Sequence, residues 1–375
     1  MKKMFKSGIV MLLMPMICFS QNAADIISQV KNKQRSINVL SYTVKRTDTL
    51  GTYIRHMNGS VVMEKNVKDS IFGFRFSGKK EGDPTEKMYD GHVGYALDVV
   101  AKTYKITTTS SGIHNLLDGG GGHLVLPDMM NLDTVGVINS SVSEDDKSYL
   151  LLFNYADVVK YDVTRKFKEV KIDKQTMLPV SVRKHQESLG RIQDLYYEIN
   201  KLTINPGKPE YDFAAPDFLA NFQHIVPEKT SSPVFGLLSS SMPYFRLQVF
   251  ANGTGWISTD DFKDKVVLLD FWEVWCGPCV ESMPNIEGLF QKYKTKGLLV
   301  YGIVNDTSNI VSSKAFTKKR GFTLPMLAGS EHLMNSLKIT GIPLYVLVDR
   351  TGKITFISEG YSNGIETAIL KALER

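Results

Sequence analysis

The stretch "FWEVWCGPCVESMPNIEGL", residues 271–289, sets two cysteines two residues apart, between an apolar run and a helical pattern. Three chemistries use such a pair: a zinc site, a structural disulfide, or a redox couple. Zinc needs four ligands, usually a second CxxC or a histidine pair, and the only other cysteine is Cys18. A structural disulfide across so short a loop would constrain little of the unfolded chain. The redox reading has positive physics behind it. "KVVLLDFWEVW" (265–275) reads as a strand buried on both faces, and "CVESMPNIEGLFQKYKTKG" as an amphipathic helix ending at Gly297. Cys276 then stands where a helix begins, and free backbone N–H groups and the helix dipole stabilise a thiolate there. Gly277 and Pro278 make the tight entry, which leaves Cys279 more buried behind the first sulfur.

The rest of the second half alternates helix and strand. "LLVYGIVND" reads as a second buried strand, "SSKAFTKKRG" and "HLMNSLKITG" as helices with the short extended "LPMLAG" between them. "PLYVLVDRTGKITFISEG" reads as a hairpin and "GIETAILKALER" as a closing helix. This order predicts an α/β domain with a mixed sheet and helices on both faces.

"WCGPC" at 275–279, preceded by "KVVLLDFW" and followed by "TGIP" at 340–343, resembles a thioredoxin-fold domain, and more narrowly the TlpA-like extracytoplasmic thiol–disulfide oxidoreductases. The lead-in "YFRLQVFANGTGWISTDDFKDK" is similar to the approach of that branch. The resemblance implies that Cys276 attacks and Cys279 resolves, with no cofactor beyond their disulfide and no metal. It implies that Trp275 flanks the site, with Gly277 and Pro278 between the sulfurs. Asp270 matches the buried carboxylate that relays protons to the resolving thiol; the alternative is a partly exposed strand-end acid. Pro343 matches a cis-proline opposite the disulfide, with Ile342 pairing to a substrate strand; the alternative is an ordinary trans turn. Glu273 follows Trp272 where relatives often carry alanine, and is read as solvated; tuning of the local charge is the alternative. Gly-Pro between the cysteines resembles reducing members, which need an electron source; a membrane donor is the implied partner.

From Ala23 to about His224 the grammar differs. One helical pattern, "AADIISQVKNKQRSI", precedes short β-branched and aromatic segments: "SYTVKR", "GSVVMEK", "SIFGFRF", "HVGYALDVV", "KTYKITTT", "SYLLLFNY", "KYDVTRKFKEVKID" and "LPVSVRKHQ". Asn58-Gly59, Gly82-Asp83-Pro84, Asp90-Gly91 and Asp173-Lys174 read as turns between them. The expected fold is mainly antiparallel β, a curved sheet or half-barrel. "LLDGGGGHLVLP" (116–127) lacks the Lys-Ser/Thr of a phosphate loop and reads as flexible. His114 and His123 bracket it without a third ligand. "YDGHVGYALDVVAKTYKI" (89–106), "KIDKQTMLPVSVRKHQ" (171–186) and "YDFAAPDF" (211–218) resemble the lipoprotein-carrier (LolA-like) fold. That resemblance implies a fold and an apolar cavity. Large residues such as Ile71, Phe74, Phe76, Tyr95, Leu97, Ile106, Leu151 and Phe153, with one helix to cover them, point the same way.

"MKKMFKSGIVMLLMPMICFS" reads as a secretory signal peptide cleaved near Ser20–Gln21; an uncleaved anchor or a lipidated Cys18 are the alternatives. Residues 22–225 then form the β domain, 226–242 a Ser- and Pro-rich linker and 243–375 the thioredoxin-like domain. The 375-residue chain carries a net charge of +6, three charges of which are the signal's lysines. That is too weak for a nucleic-acid surface. The expected protein is a periplasmic or envelope disulfide reductase of disulfide-containing client proteins, with the N-terminal domain holding client or an apolar ligand. A carrier with an accessory redox domain is the first alternative. A thiol peroxidase is the second, although its Thr-x-x-Cys is missing.

Overall fold

The structure, a computed structural model, describes residues 22–374 except 190, 208–210, 214–215 and 227–231. The signal-peptide reading and Cys18 lie outside the described residues, as do the middle of "YDFAAPDF" and part of the expected linker. Among the described residues, no helix is long and apolar enough to cross a membrane.

Helix α1 (Ala23–Arg35) is capped by the Asn22 side chain, which accepts from the Asp25 N–H, and buries Ala23, Ile26 and Val30. Strands β1 (Val39–Leu50), β2 (Tyr53–Lys65), β3 (Phe74–Lys80), β4 (Thr85–Tyr89), β5 (Gly94–Asp98) and β6 (Thr103–Thr107) follow as a meander. Helix α2 (Ser110–His114) opens a crossing segment. Strands β7 (Val137–Glu144), β8 (Ser148–Tyr155), β9 (Val163–Asp173), β10 (Pro179–Ser188) and β11 (Arg191–Ile204) return as a second meander. Helix α3 (Phe218–Asn221) and the two-residue β12 (Gln223–His224) close the unit. Strand β11 pairs antiparallel with β1, joining the two meanders into one sheet of 12 strands, ordered β12-β6-β5-β4-β3-β2-β1-β11-β10-β9-β8-β7.

The sequence reading of this half needs three corrections. Asn58-Gly59 is no turn: both lie inside β2, opposite Lys45 and Val44. Gly59 is there for closeness, since a Cβ on it would sit 2.0 Å from the Lys79 carbonyl oxygen and 2.5 Å from Leu124. The actual reversal is at Gly51, with φ +64°. The glycine-rich stretch is no flexible loop. It is a packed cover over the sheet, in which a Cβ on Gly121 would meet the Gly78 carbonyl oxygen at 1.8 Å. Finally, the covering surface exceeds one helix. Ile113, Leu116, Leu124, Leu126, Met129 and Leu132 join α1 over Phe74, Phe76, Leu151 and Phe153 in one core.

In the second half, β13 (Arg246–Ala251) and β14 (Trp256–Ser258) form a hairpin, and β15 (Val266–Phe271) runs to the cysteines. Helix α4 (Gly277–Tyr293), β16 (Leu298–Val304), α5 (Ile310–Arg320), β17 (Met326–Ala328), α6 (Glu331–Ser336), β18 (Leu344–Val348), β19 (Ile354–Glu359) and α7 (Gly364–Leu373) complete it. The seven strands are ordered β14-β13-β17-β16-β15-β18-β19, with β15 parallel to β16 and antiparallel to β18. All six residues of β15 are buried. Val266, Leu268 and Trp272 face a core with α4, α5 and α7. Val267, Leu269 and Phe271 face the opposite core, where Leu333 of α6 and Leu337 just after it sit. This is the expected mixed sheet with helices on both faces. The later part of the expected linker is no free tether: Val234 is buried in that second core, and Ser239 donates its N–H to the Ile354 carbonyl.

Candidate active site

Strand β15 ends in the centre of its sheet, and the chain turns through Trp272–Trp275 into α4. Cys276 is the N-cap residue of α4, and its sulfur accepts the Cys279 N–H at 3.2 Å. Its sulfur is joined to that of Cys279, with Cα atoms 5.2 Å apart, within the usual disulfide range. Cys276 is 5% exposed and Cys279 1%. Both residues are buried, Cys276 slightly less so. Once the pair is reduced, the same N–H and the helix dipole are aimed at Cys276, where they favour its thiolate. Gly277 and Pro278 occupy the first turn of α4, and Trp275 projects outward, 65% exposed.

Asp270 is 1% exposed, and its Oδ1 has no hydrogen-bond partner. Burial pushes its carboxyl up to about 8. Its side chain faces α4, because it pairs directly across from Tyr345 and opposite residues of neighbouring strands share a sheet face. The Tyr345 hydroxyl meets Ser282 Oγ at 2.7 Å, and Ser282 Oγ donates to the Cys279 carbonyl at 3.0 Å. Asp270 is thus a dry acid under the helix that begins at the cysteines. Pro343 is buried, and its bond to Ile342 is cis. Ile342 is half-buried against both cores.

Glu273 differs from its sequence reading. It is 3% exposed rather than solvated. Its Oε1 accepts the N–H groups of Asn305 and Asp306, each at 2.9 Å, and its Oε2 accepts Asn309 Nδ2 at 2.9 Å. Burial raises its pKa, and these three bonds oppose the rise. The network continues across to the first half: Arg191 donates to Asn309 Oδ1 at 2.6 Å and to the Ser308 carbonyl at 2.5 Å. The Asn309 amide is thus held in one orientation, its Nδ2 donating to Glu273 and, at 3.2 Å, to Asp306 Oδ2, and its Oδ1 accepting from Arg191. Glu273→Gln would set two NH2 groups face to face, and flipping Asn309 would do the same against Arg191. We expect this variant to lose about 2 kcal/mol, the cost of leaving buried donors unpaired. Chemical denaturation followed by tryptophan fluorescence checks it; an unchanged midpoint would count against a structural role.

The first half also touches the redox helix elsewhere. Tyr161 and Leu189 pack against the core that contains both cysteines. The Tyr161 hydroxyl donates to Glu281 on α4 at 2.5 Å, and Lys160 pairs with the same carboxylate at 2.8 Å. Lys319 of α5 pairs with Asp162, and Arg320 donates to the Lys160 carbonyl. No local sequence pattern marks these residues, because their partners lie more than a hundred positions away. The histidines earlier bracketing the glycines have other uses. His114 contacts the Ser110 carbonyl and the Phe72 ring, and burial beside Arg46 lowers His123 to about 4. Among the described residues, no cluster of His, Cys, Asp and Glu is arranged to hold a metal.

Comparison with known proteins adds the following. The Redoxin family model matches residues 238–373. Thiol-disulfide oxidoreductase ResA of Bacillus thuringiensis is 34% identical over 100 residues, which is 26% of this chain and 57% of the relative. Thioredoxin-like protein YneN of Bacillus subtilis is 35% identical over 106 residues, 28% of this chain and 61% of that one. The chain thus spans about three-fifths of the length of these curated relatives. A solved structure of a putative protein disulfide isomerase from Bacteroides thetaiotaomicron is 26% identical, with a TM-score of 0.34. It covers 37% of this chain and 91% of its own.

Proposed function

We propose that the protein is an envelope thiol–disulfide oxidoreductase that reduces disulfides of client proteins through Cys276 and Cys279. The observation that carries this reading is the cysteine pair itself: one residue caps a helix, and the other, slightly more buried, lies in its first turn. In the reduced protein the Cys276 thiolate attacks a client disulfide. The client S–S bond breaks, a Cys276–client disulfide forms, and the second client sulfur leaves as a thiol after protonation. Cys279 then gives its proton to Asp270, acting as the base, and attacks Cys276. The Cys276–Cys279 disulfide forms and the client leaves with two electrons and two protons gained. An external dithiol must reduce the couple again. Exposed Trp275 and the Ile342–Pro343 edge line the approach to Cys276, and the N-terminal sheet holds the client.

A redox titration of the full chain in glutathione buffers, read by tryptophan fluorescence, tests the proposal. All three tryptophans, Trp256, Trp272 and Trp275, lie in the second half, so the signal reports on the domain that carries the couple. The expected midpoint lies near that of thioredoxin, about −270 mV. A couple still oxidised below about −300 mV would be structural, and one near about −120 mV would be an oxidant.

A further inference from the structure

Two cavities lie side by side along the first sheet, and the second half helps to line the smaller. The larger, about 590 Å³, is bounded by strands of the first sheet and by the end of the crossing segment at Asp133, Val135 and Gly136. Its walls include Tyr155, Lys166, Lys184 and Leu195, with Val135 at the rim. The smaller, about 220 Å³, is lined by Arg191, Leu189 and Val274 and reaches Trp275, the neighbour of Cys276. Leu50 and Gln193 line both cavities. The two cavities therefore adjoin, marking a path from Trp275 along the first sheet.

Its chemistry is mixed. Leu50, Val135 and Trp275 expose apolar surface along it, at 43%, 84% and 65%. Two cations on it lack a carboxylate partner among the described residues. The Lys166 ammonium lies over the Tyr155 ring at 5.2 Å, and Arg191 donates only to neutral oxygens of Asn309 and Ser308. By contrast, Asp128 already neutralises Lys168 at 2.6 Å and stands 3.6 Å from Lys184.

We propose that this groove holds an extended client segment next to the client's reactive cysteine, and that it selects segments mixing apolar and acidic side chains. The inference rests on the oxidoreductase reading and supplies its substrate class. Apolar residues of the segment cover Trp275, Leu50 and Val135, and its carboxylates meet Arg191 and Lys166. The segment is held by the N-terminal sheet while Cys276 reaches the sulfur, so affinity comes from a surface remote from the exchange.

The test uses the full chain and two fluorescent cysteine-free peptides, one alternating leucine with glutamate and one alternating leucine with lysine. Anisotropy should show binding of the acidic peptide only, weakened by salt. Lys166→Glu and Leu50→Asp should each weaken it about tenfold, the effect of losing one good contact, and Lys166→Arg should restore it. Disulfide turnover supplies the second arm. A peptide joining that acidic segment to a disulfide should show a lower KM than oxidised glutathione, and Lys166→Glu should raise only the former. Equal binding of both peptides, or no response to Lys166→Glu, overturns the proposal. A fatty acid that occupies the groove while both peptides are ignored also overturns it, in favour of a lipid site. Binding of the acidic peptide by a protein that turns over neither disulfide would retain the groove and sink the oxidoreductase reading instead.

Discussion

Cells producing the Cys279→Ala variant should accumulate mixed disulfides between Cys276 and client proteins, and cells producing Cys276→Ala should accumulate none. The asymmetry follows from position. Cys276 caps α4 and is the less buried residue, at 5% exposed against 1% for Cys279. Attack on a client therefore starts from Cys276, and only Cys279 is placed to break the resulting bond from within. Removing Cys279 stops the reaction halfway, with the client covalently held. Removing Cys276 leaves a buried thiol that no large disulfide can reach. Turnover should fall by roughly three orders of magnitude or more in Cys276→Ala, as it does when a covalent nucleophile is lost. Non-reducing electrophoresis with mass spectrometry of the captured species reads the first outcome, and a disulfide reduction assay the second. If both variants trap equally, or neither does, the assigned roles are wrong.

The placement of the two cysteines at a helix start was legible because the second half of the chain writes its fold locally. The run 266–271 is apolar except for Asp270, as suits a central strand, and after four further residues comes a cysteine that starts a 3.6-period pattern. Each signal spans a few residues, so one sequence suffices. The first half was legible only in kind. Most of its strands were readable from β-branched and aromatic runs, but β11, which joins the two meanders, was missed, as were the short β4 and β12 and the polar β7. "RIQDLYYEINKLTI" carries acids and amides among its apolar residues, because half of its side chains face away from the core. The glycines misled for another reason. Gly59, Gly78 and Gly121 serve close backbone approach between segments far apart in sequence, and a lone sequence cannot tell this from flexibility. Glu273 misled likewise: a carboxylate after Trp272 is unremarkable until Asn305, Asp306 and Asn309 are brought around it.

Asp270 should make the second half of the molecule lose stability as pH rises, and Asp270→Asn should remove that dependence. The sign follows from proton binding. The folded carboxyl titrates at about 8 because burial disfavours its charge, against 3.8 as the ordinary value. Between those two pH values the folded state keeps a proton that the unfolded chain has released, so stability falls as pH increases. The slope is about 1.4 kcal/mol per pH unit for one group. From pH 5 to pH 8 the group therefore removes on the order of 4 kcal/mol of stability. The stabilities of the parent and the Asn variant should diverge by that amount over the interval, whatever the variant costs at pH 5. Denaturant titrations of the oxidised protein, followed by the three tryptophans of this half, measure the divergence without interference from the cysteines. The same titration sets the pH profile of catalysis. At neutral pH a group titrating near 8 is mostly protonated, so deprotonation of Cys279 by Asp270 should speed up toward pH 8, while the attack by Cys276 does not depend on it. In Asp270→Asn the resolving phase of a stopped-flow trace should slow and lose this pH response, with the attacking phase unchanged. Parallel stability curves for the two proteins would mean that Asp270 stays charged in the fold, and the proton-acceptor role would fall with them.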